Sequence, residues 1–290
     1  MLIRAGHTKL HPLLKITEWL ISIVIGGGIA VVIWSVLPVE RGDISSLLLF
    51  QALLTICMFV LPPLTMAFLW SEHPLERLHL GGKWDGQLTA LSIGIIVCAI
   101  PLINWLADWN RNIQLPESMH NLELWMQQTE QQAEALLQGF LIYRNGVWWM
   151  LPVNLVVLAI LPAIGEELTF RGILQSFFRS KHLAVWVTAV VFSFIHFQFY
   201  GFVPRMLLGA LLGYALLWSN RLEYSMLMHA TNNALTVIIF YIGTYVCNLT
   251  QAQMDAFGTG QTGWLTLVCT PLMAIMIYLY YRRADKMSCA

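Results

Sequence analysis

The chain has 290 residues, of which 58% are hydrophobic and only 11% charged, and its mean hydropathy is +0.65. Soluble domains carry about 25% charged residues, so this composition excludes an ordinary soluble protein. The formal net charge is zero, which gives no indication of a nucleic-acid partner. Several stretches approach or exceed the roughly 20 apolar residues that cross a bilayer. We therefore expect an all-α, polytopic helical membrane protein.

Apolar runs predict about eight transmembrane helices. Their approximate bounds are 16–37, 46–70, 88–106, 147–178, 183–200, 203–219, 225–246 and 262–281. The fourth run is too long for one simple crossing, so this helix should be tilted or project from the membrane. The fifth and sixth runs are short and close together, and Gly201 and Pro204 mark the turn between them.

The distribution of Lys and Arg predicts that both termini are cytoplasmic, because inner segments of membrane proteins carry the excess of positive charge. Inner segments would hold Arg4, Lys9, Lys15, Arg77, Lys83, Arg179, Lys181, Arg221, Arg282, Arg283 and Lys286, and outer segments Arg41, Arg111, Arg144 and Arg205. Arg171 is set aside, because it belongs to a polar motif within a span. We expect a multi-pass protein of a bacterial inner membrane.

Four regions follow from this topology. They are 1–106 with transmembrane helices 1–3, a polar extracytoplasmic segment at 107–146, a candidate catalytic core at 147–246 with helices 4–7, and 247–290 with helix 8 and a cytoplasmic tail. The stretch from Glu117 to Gln138 is rich in good helix formers and has apolar residues at broadly helical spacing. It predicts an amphipathic helix that lies at the interface, caps the protein or contacts substrate, or simply connects two spans.

Two neighbouring glutamates, Glu166 and Glu167, interrupt the hydrophobic fourth span. A carboxylate in a bilayer costs roughly 2.5–3.5 kcal/mol on insertion scales, so charged residues there indicate a functional site by default. Glu167 and Arg171 are four residues apart and can form an ion pair. Glu166 points about 100° away from Glu167 and is free to face another group. Pro162, four residues earlier, predicts a kink with room for water.

Three polar residues on other spans are candidate partners of Glu166. His196 is isolated in the fifth span, and His229 and Asn233 share one face of the seventh. Helical rise places Glu166 about 18 Å and His196 about 20 Å from the inner ends of their spans, so we predict a site in the cytoplasmic half of the bilayer, reached by a water-filled cavity. Each residue alone is explained by packing or interhelical hydrogen bonding, but the four together are not.

This set of residues has the chemistry of a hydrolase. A partly desolvated glutamate next to an imidazole can deprotonate water, and a His and an Asn on one helix face can donate to a developing oxyanion. Glu166, His196 and His229 can also bind a divalent metal such as Zn²⁺ and leave a position for water. The HExxH motif is absent, so zincin geometry does not apply. The sequence leaves the cofactor open between none and a divalent metal.

The motifs Glu166-Glu167-x-x-x-Arg171, Phe192-x-x-x-His196 and His229-x-x-x-Asn233 occur in this order on successive apolar spans. This pattern resembles the CPBP family, the CAAX protease and bacteriocin-processing intramembrane proteases, which are also called the Abi family and are related to type II CAAX prenyl endopeptidases. The resemblance covers about 147–246. It implies that Glu166 is the catalytic glutamate, that His196 helps it to activate water, and that His229 and Asn233 bind the oxyanion. The supporting positions are Glu167, Arg171 and Phe192.

The leading hypothesis is an intramembrane endopeptidase, glutamate-dependent or metal-dependent, in CAAX-type processing or peptide maturation. Its partners would be the lipid bilayer and a peptide or lipidated-protein substrate. One alternative is a non-catalytic membrane scaffold or bacteriocin-immunity protein of the same fold. Another is a proton-coupled transporter, since Glu and His in spans also form proton relays, although no inverted repeat supports it. The substrate sequence and oligomeric state are not encoded in any motif.

Overall fold

The computed structural model describes residues 7, 10–113, 115–141 and 148–288, without the side chains of residues 255 and 288. Arg4, Lys9 and Arg144, which contribute to the predicted orientation, lie outside the described residues, as does the first residue of the predicted fourth span. The described chain is helical, with short turns between the helices.

Nine helices of more than ten residues occur in the described ranges. They are α1 (Pro12–Val36), α2 (Ile44–Trp70), α3 (Gly86–Arg111), α4 (His120–Leu141), α5 (Met150–Phe177), α6 (Lys181–Phe194), α7 (Phe202–Ser219), α8 (Leu222–Tyr245) and α9 (Gly263–Ser288). Shorter helical turns lie at Pro74–Arg77 and Gln251–Asp255. All of the long helices except α4 and α6 are long and apolar enough to cross a membrane. The prediction of a polytopic helical membrane protein is confirmed.

Helix α6 differs from the predicted fifth span, 183–200. It has 14 residues, and a helix of this length rises about 21 Å, which is less than the roughly 30 Å of a bilayer's hydrocarbon core. The helix ends at Phe194, and Phe197 adopts a left-handed backbone conformation with φ 53°. The chain therefore turns inside the apolar run, and His196 lies in that turn rather than within the helix.

Wide helical turns with π geometry accommodate the prolines of α2 and α5. Proline lacks an N–H, and its ring crowds the carbonyl four residues earlier. The wide turn Ile56–Val60 ends two residues before Pro62, and the wide turn Leu155–Ile160 ends two residues before Pro162. A third wide turn, Leu168–Leu174, contains no proline. Such turns are frequent at functional sites, and this one follows Glu167 directly.

Helix α5 is packed closely against α2 beside the paired glutamates. A Cβ added to Gly165 would lie 2.9 Å from the Cβ of Phe59, so only glycine permits this approach. The hydroxyl of Thr169 donates to the Phe59 carbonyl at 3.0 Å, and this bond satisfies a carbonyl in the wide turn of α2. These contacts fix the depth and rotation of the helix that carries Glu166.

Two buried apolar clusters hold α5 and α8 in place. One cluster joins α1, α2, α5, α7 and α8 and includes Trp19, Trp70, Leu168, Ile173 and Leu222. The other joins α3, α7, α8 and α9 and includes Ile95, Leu212, Tyr224, Met228 and Tyr280. Helix α8 contributes to both clusters, so its polar face has a defined position opposite α5.

Candidate active site

The structure brings together three of the four predicted catalytic residues. Glu166 lies on α5, His196 in the turn after α6 and His229 on α8. The Glu166 Oε2 atom is 3.8 Å from Nε2 of His229 and 4.0 Å from Nε2 of His196. The side chains of Glu166 and His196 are 19% and 28% exposed, whereas that of His229 is 5% exposed. The three groups thus form a partly open polar cluster between three elements.

Glu167 contacts the Nδ1 side of His229, and both of its carboxylate oxygens are bonded. Its Oε1 accepts from Arg171 Nη1 at 2.7 Å and contacts His229 Nδ1 at 2.8 Å, and its Oε2 accepts from Ser225 Oγ at 2.6 Å. Arg171 also donates from Nη2 to the carbonyl of Gly209 at 3.0 Å. The ion pair between Glu167 and Arg171 that the sequence predicts is present, and both side chains are inaccessible.

The hydrogen bonds of the two imidazoles define which nitrogen faces Glu166. His196 Nδ1 lies 2.7 Å from the carbonyl oxygen of Phe192. A carbonyl only accepts, so Nδ1 carries the hydrogen. His229 Nδ1 donates in the same way to the Glu167 carboxylate. Both rings therefore present Nε2 to Glu166, and in a neutral ring this nitrogen is a proton acceptor.

The ring of Phe192 contacts both Arg171, the partner of Glu167, and the two histidines that face Glu166. The Arg171 guanidinium lies 4.5 Å from the centre of this ring, and the imidazoles of His196 and His229 contact it edge-on at centroid distances of 4.9 and 5.7 Å. Because the ring touches all three polar groups, it restricts the rotamers of both histidines. This contact is consistent with the supporting position that the sequence pattern gives Phe192.

Glu166 itself receives no hydrogen bond from the part of the chain that the structure describes. Its separations of 3.8 and 4.0 Å from the two Nε2 atoms exceed a direct hydrogen bond. A single water about 2.8 Å from each atom fits between groups at this distance. The arrangement thus offers a carboxylate and two imidazoles converging on one small volume.

Asn233, the fourth predicted residue, lies one helical turn beyond His229 on α8. Its Oδ1 accepts from Asn232 Nδ2 at 3.2 Å, and it makes no hydrogen bond with Glu166, His196 or His229. The structure therefore places Asn233 on the same helix face as His229 but does not bring it into the cluster of three. Its role toward an oxyanion stays a prediction.

Three further residues at the site were not predicted. Ser225 is four residues before His229, so the i, i+4 spacing contained a signal for it. Gly209 contributes only a carbonyl, and a Cβ there would lie 3.3 Å from both Arg171 Nη2 and Phe192 Cδ1. Arg205, counted as an outer charge in the topology argument, lies in the first turn of α7 and interacts electrostatically with Glu166 and His196.

The fit of a metal ion can be judged from the donor geometry. Glu166, His196 and His229 have the donor chemistry that zinc prefers. In the described ranges, however, no group of three or more His, Cys, Asp and Glu side chains has the arrangement of a metal site. As placed, the three residues do not form a ligand set, so the mechanism below is derived from the side chains alone.

Part of the chain matches a known protein family. Residues 148–235 match the family described as type II CAAX prenyl endopeptidase Rce1-like. No curated protein and no solved structure matches the chain. The matched segment contains Glu166, His196, His229 and Asn233, whereas α1 to α4 and α9 lie outside it.

Proposed function

We propose that this chain, whose residues 148–235 match the type II CAAX prenyl endopeptidase Rce1-like family, is an intramembrane endopeptidase that hydrolyses a peptide bond with water activated by Glu166 and His196. One observation carries the proposal. The carboxylate of Glu166 faces two imidazole Nε2 atoms at 3.8 and 4.0 Å, and no described residue donates a hydrogen bond to it.

The first chemical step uses the space between these groups. A water there donates a proton to Glu166, with His196 Nε2 as a second acceptor, and its oxygen attacks the carbonyl carbon of the scissile bond. The tetrahedral intermediate collapses when the proton passes to the leaving amide nitrogen and the C–N bond breaks. The products are a new carboxylic acid, which keeps the second proton of the water until it ionises, and a new amine, and Glu166 returns to its starting state.

His229 is suited to stabilising the oxyanion of that intermediate. With its Nδ1–H donating to Glu167, its Nε2 donates only when the ring is protonated. The Glu167 carboxylate, 2.8 Å from Nδ1, fixes the orientation of the ring, as a carboxylate behind a catalytic histidine does in other hydrolases. Asn233, one turn away, is the proposed second donor. Glu167, Arg171 and Ser225 are then positioning residues.

The substrate is a peptide or a lipidated protein at the membrane. We further propose the orientation with both termini cytoplasmic, on the charge distribution described above. The four regions 1–106, 107–146, 147–246 and 247–290 then have separate roles, with hydrolysis assigned to the third. Tagged termini probed from each side of sealed vesicles test this orientation.

The decisive experiment compares the wild-type protein with Glu166→Gln in detergent, on quenched lipidated and unlipidated peptides, with and without a chelator. We expect the substitution to remove cleavage, and the chelator arm tests metal dependence. Glu40→Gln, the same chemical change at an exposed position, is the matched control. No cleavage by folded wild-type protein would overturn the proposal and favour a scaffold or immunity protein, and ion flux in liposomes would identify a transporter.

A further inference from the structure

Helix α4 contacts the turn that carries His196, although it lies outside the segment that matches the family. The Trp125 ring on α4 is 6.5 Å from the Phe197 ring and 5.5 Å from the Phe199 ring, measured between centroids. Phe197 is the residue with φ 53°, a strained conformation for a bulky side chain. The N-terminal half of α4 is therefore packed against the turn that carries His196.

The C-terminal end of α4 is fixed on the opposite side of the bundle. Phe140 and Leu141 are buried, and their carbonyl groups accept hydrogen bonds from Asn154 at 2.9 Å and from Tyr245 at 3.2 Å. These donors belong to the start of α5 and the end of α8. Helix α4 thus bridges the end of the bundle where α3 and α8 end and α5 begins.

A cavity of about 290 Å³ lies beneath this bridge, between α3, α4 and α8. Its lining contains Gln198, two residues after His196, and Asn232, the neighbour of Asn233. Leu137 on α4 contributes to its roof. The volume is close to the lower end of the roughly 300–1,000 Å³ range of ligand pockets, which suits a short segment of a larger molecule.

Electrostatics also connect the roof to the catalytic glutamate. Arg205 interacts with Glu130 on α4 and with Glu166 on α5. Its guanidinium is held by hydrogen bonds to the carbonyl and side chain of Gln198, at 3.1 and 2.8 Å. Glu130 of the cavity lining and the Glu166 carboxylate are thus both under the electrostatic influence of one partly buried cation.

The lining of the cavity combines amide and charged side chains with apolar ones, as a peptide-binding site does. Its amide side chains belong to Asn104, Gln138, Gln198, Asn232 and Gln251. The Oε2 atom of Glu130 is buried and finds no hydrogen-bond donor in the described chain, and burial raises the pKa of this carboxyl. A peptide backbone supplies N–H and C=O partners to such groups. A prenyl or acyl chain supplies neither and would leave the buried Oε2 atom of Glu130 unpaired, at a cost of about 1–3 kcal/mol.

We propose that the cavity under α4 binds the polypeptide part of the substrate on one side of the scissile bond, with α4 as its roof. The proposal rests on the peptidase function proposed above. It assigns the polar segment to substrate recognition and predicts that the peptide, rather than a lipid chain, occupies this space.

The test fills the cavity without touching the catalytic groups. Leu137→Trp places a larger side chain in the roof, and Leu136→Trp is the matched control, because Leu136 is adjacent, 50% exposed and not part of the lining. We expect Leu137→Trp to raise KM for an unlipidated peptide by roughly tenfold, about 1.4 kcal/mol of binding, with kcat changed far less. Leu136→Trp should behave as the wild type.

Binding is measured separately on the Glu166→Gln background, by fluorescence anisotropy of the same peptides. There Leu137→Trp should weaken binding, and Glu130→Gln, which keeps the shape of the roof, should weaken it by a smaller factor. Equal KM and equal binding for the two tryptophan variants would overturn the cavity assignment while leaving proteolysis intact. Displacement of the peptide by a free isoprenoid alcohol would instead place a lipid chain in the cavity. Absence of cleavage by the wild-type protein would refute the proposed peptidase function. The binding measurements would still decide whether a peptide or a lipid chain occupies the cavity.

Discussion

Two adjacent glutamates of the same helix have opposite surroundings in this protein. Glu167 is inaccessible and bonded to Arg171, Ser225 and His229, whereas Glu166 is 19% exposed and receives no hydrogen bond from a described residue. A buried carboxylate with a full set of donors stabilises an arrangement, because removing any donor leaves an uncompensated charge. A carboxylate that receives no hydrogen bond is available to take a proton. The comparison thus separates the positioning side of the site, Glu167 and its bonded partners, from the reactive side, Glu166.

The largest expected effect tests this separation with the same substitution at both positions. Glu166→Gln should lower kcat/KM by about 10²–10⁴-fold, the usual contribution of a general base, and leave the melting temperature close to that of the wild type. Glu167→Gln should lower both activity and melting temperature, because its partners include the buried Arg171. Cleavage assays and thermal unfolding of the detergent-solubilised protein measure the two effects. A stable and fully active Glu166→Gln variant would refute the assignment of the reactive side.

Removing Arg171, the other partner of the buried ion pair with Glu167, gives the next largest effect. Arg171→Leu leaves the Glu167 carboxylate without its cation in an inaccessible position, and loss of one partner of such a pair costs about 3–5 kcal/mol. We expect a markedly lower melting temperature or failure to fold. The double variant Arg171→Leu/Glu167→Leu removes both charges and should recover part of the loss. If the double variant is less stable than the single one, the pair does not act as a compensated unit.

A smaller effect is expected from Ser225, whose hydroxyl donates to Oε2 of Glu167. Ser225→Ala removes one donor to a buried carboxylate and should cost about 1–3 kcal/mol. It should also lower kcat more than it raises KM, since the carboxylate that orients His229 becomes less fixed. Ser22→Ala is the control, because the hydroxyl of Ser22 bonds only the carbonyl of Trp19 within its own helix. Equal stability of the two variants would show that Ser225 is not part of the positioning network.

The sequence identified most of the side chains at the site but missed three of its residues. Glu166, His196 and His229 are identifiable because polar residues are rare in apolar spans, and Glu167 and Arg171 because their spacing of four residues permits an ion pair. The Gly209 carbonyl has no side-chain signal, and Arg205 resembled a loop charge because it lies next to a turn. The placement of α4 over the site depends on contacts far apart in the chain, such as Trp125 with Phe199, which periodicity does not encode.

Most of the fold was predictable from long apolar runs, and the exception, the early end of α6, has a tertiary cause. The run continues through the end of α6 without a glycine or proline until Gly201, so hydropathy predicts a longer helix. The left-handed conformation of Phe197 is instead stabilised by tertiary contacts, including the ring of Trp125 at 6.5 Å. Packing thus overrides local preference at the turn that positions His196.

A third carboxylate, Asp85, extends the comparison to the edge of the bundle and gives the smallest expected effect. Its Oδ1 caps α3 by accepting from the Leu88 N–H at 2.8 Å, and its Oδ2 pairs with Arg283 on α9. The hydrogen bond from Arg283, together with the Leu88 N–H, holds the pKa of Asp85 below its ordinary value. Like Glu167 it has an arginine partner, but that arginine is 39% exposed, so water screens the pair.

Asp85→Ala should lower stability near neutral pH by about 0.5–2 kcal/mol, the usual cost of losing an N-terminal cap, without a change in kcat. The lowered pKa means that the folded state favours the ionised carboxylate, so this contribution is present above the ordinary pKa of an aspartate and is lost as pH falls through the lowered value. The melting temperatures of wild type and variant should therefore converge in acid. Asp85→Asn, which keeps an acceptor for the cap but removes the charge, should fall between them. A difference that stays constant down to the acid limit would mean that Asp85 stabilises α3 through its shape and hydrogen bonding, and that the pair with Arg283 contributes nothing measurable.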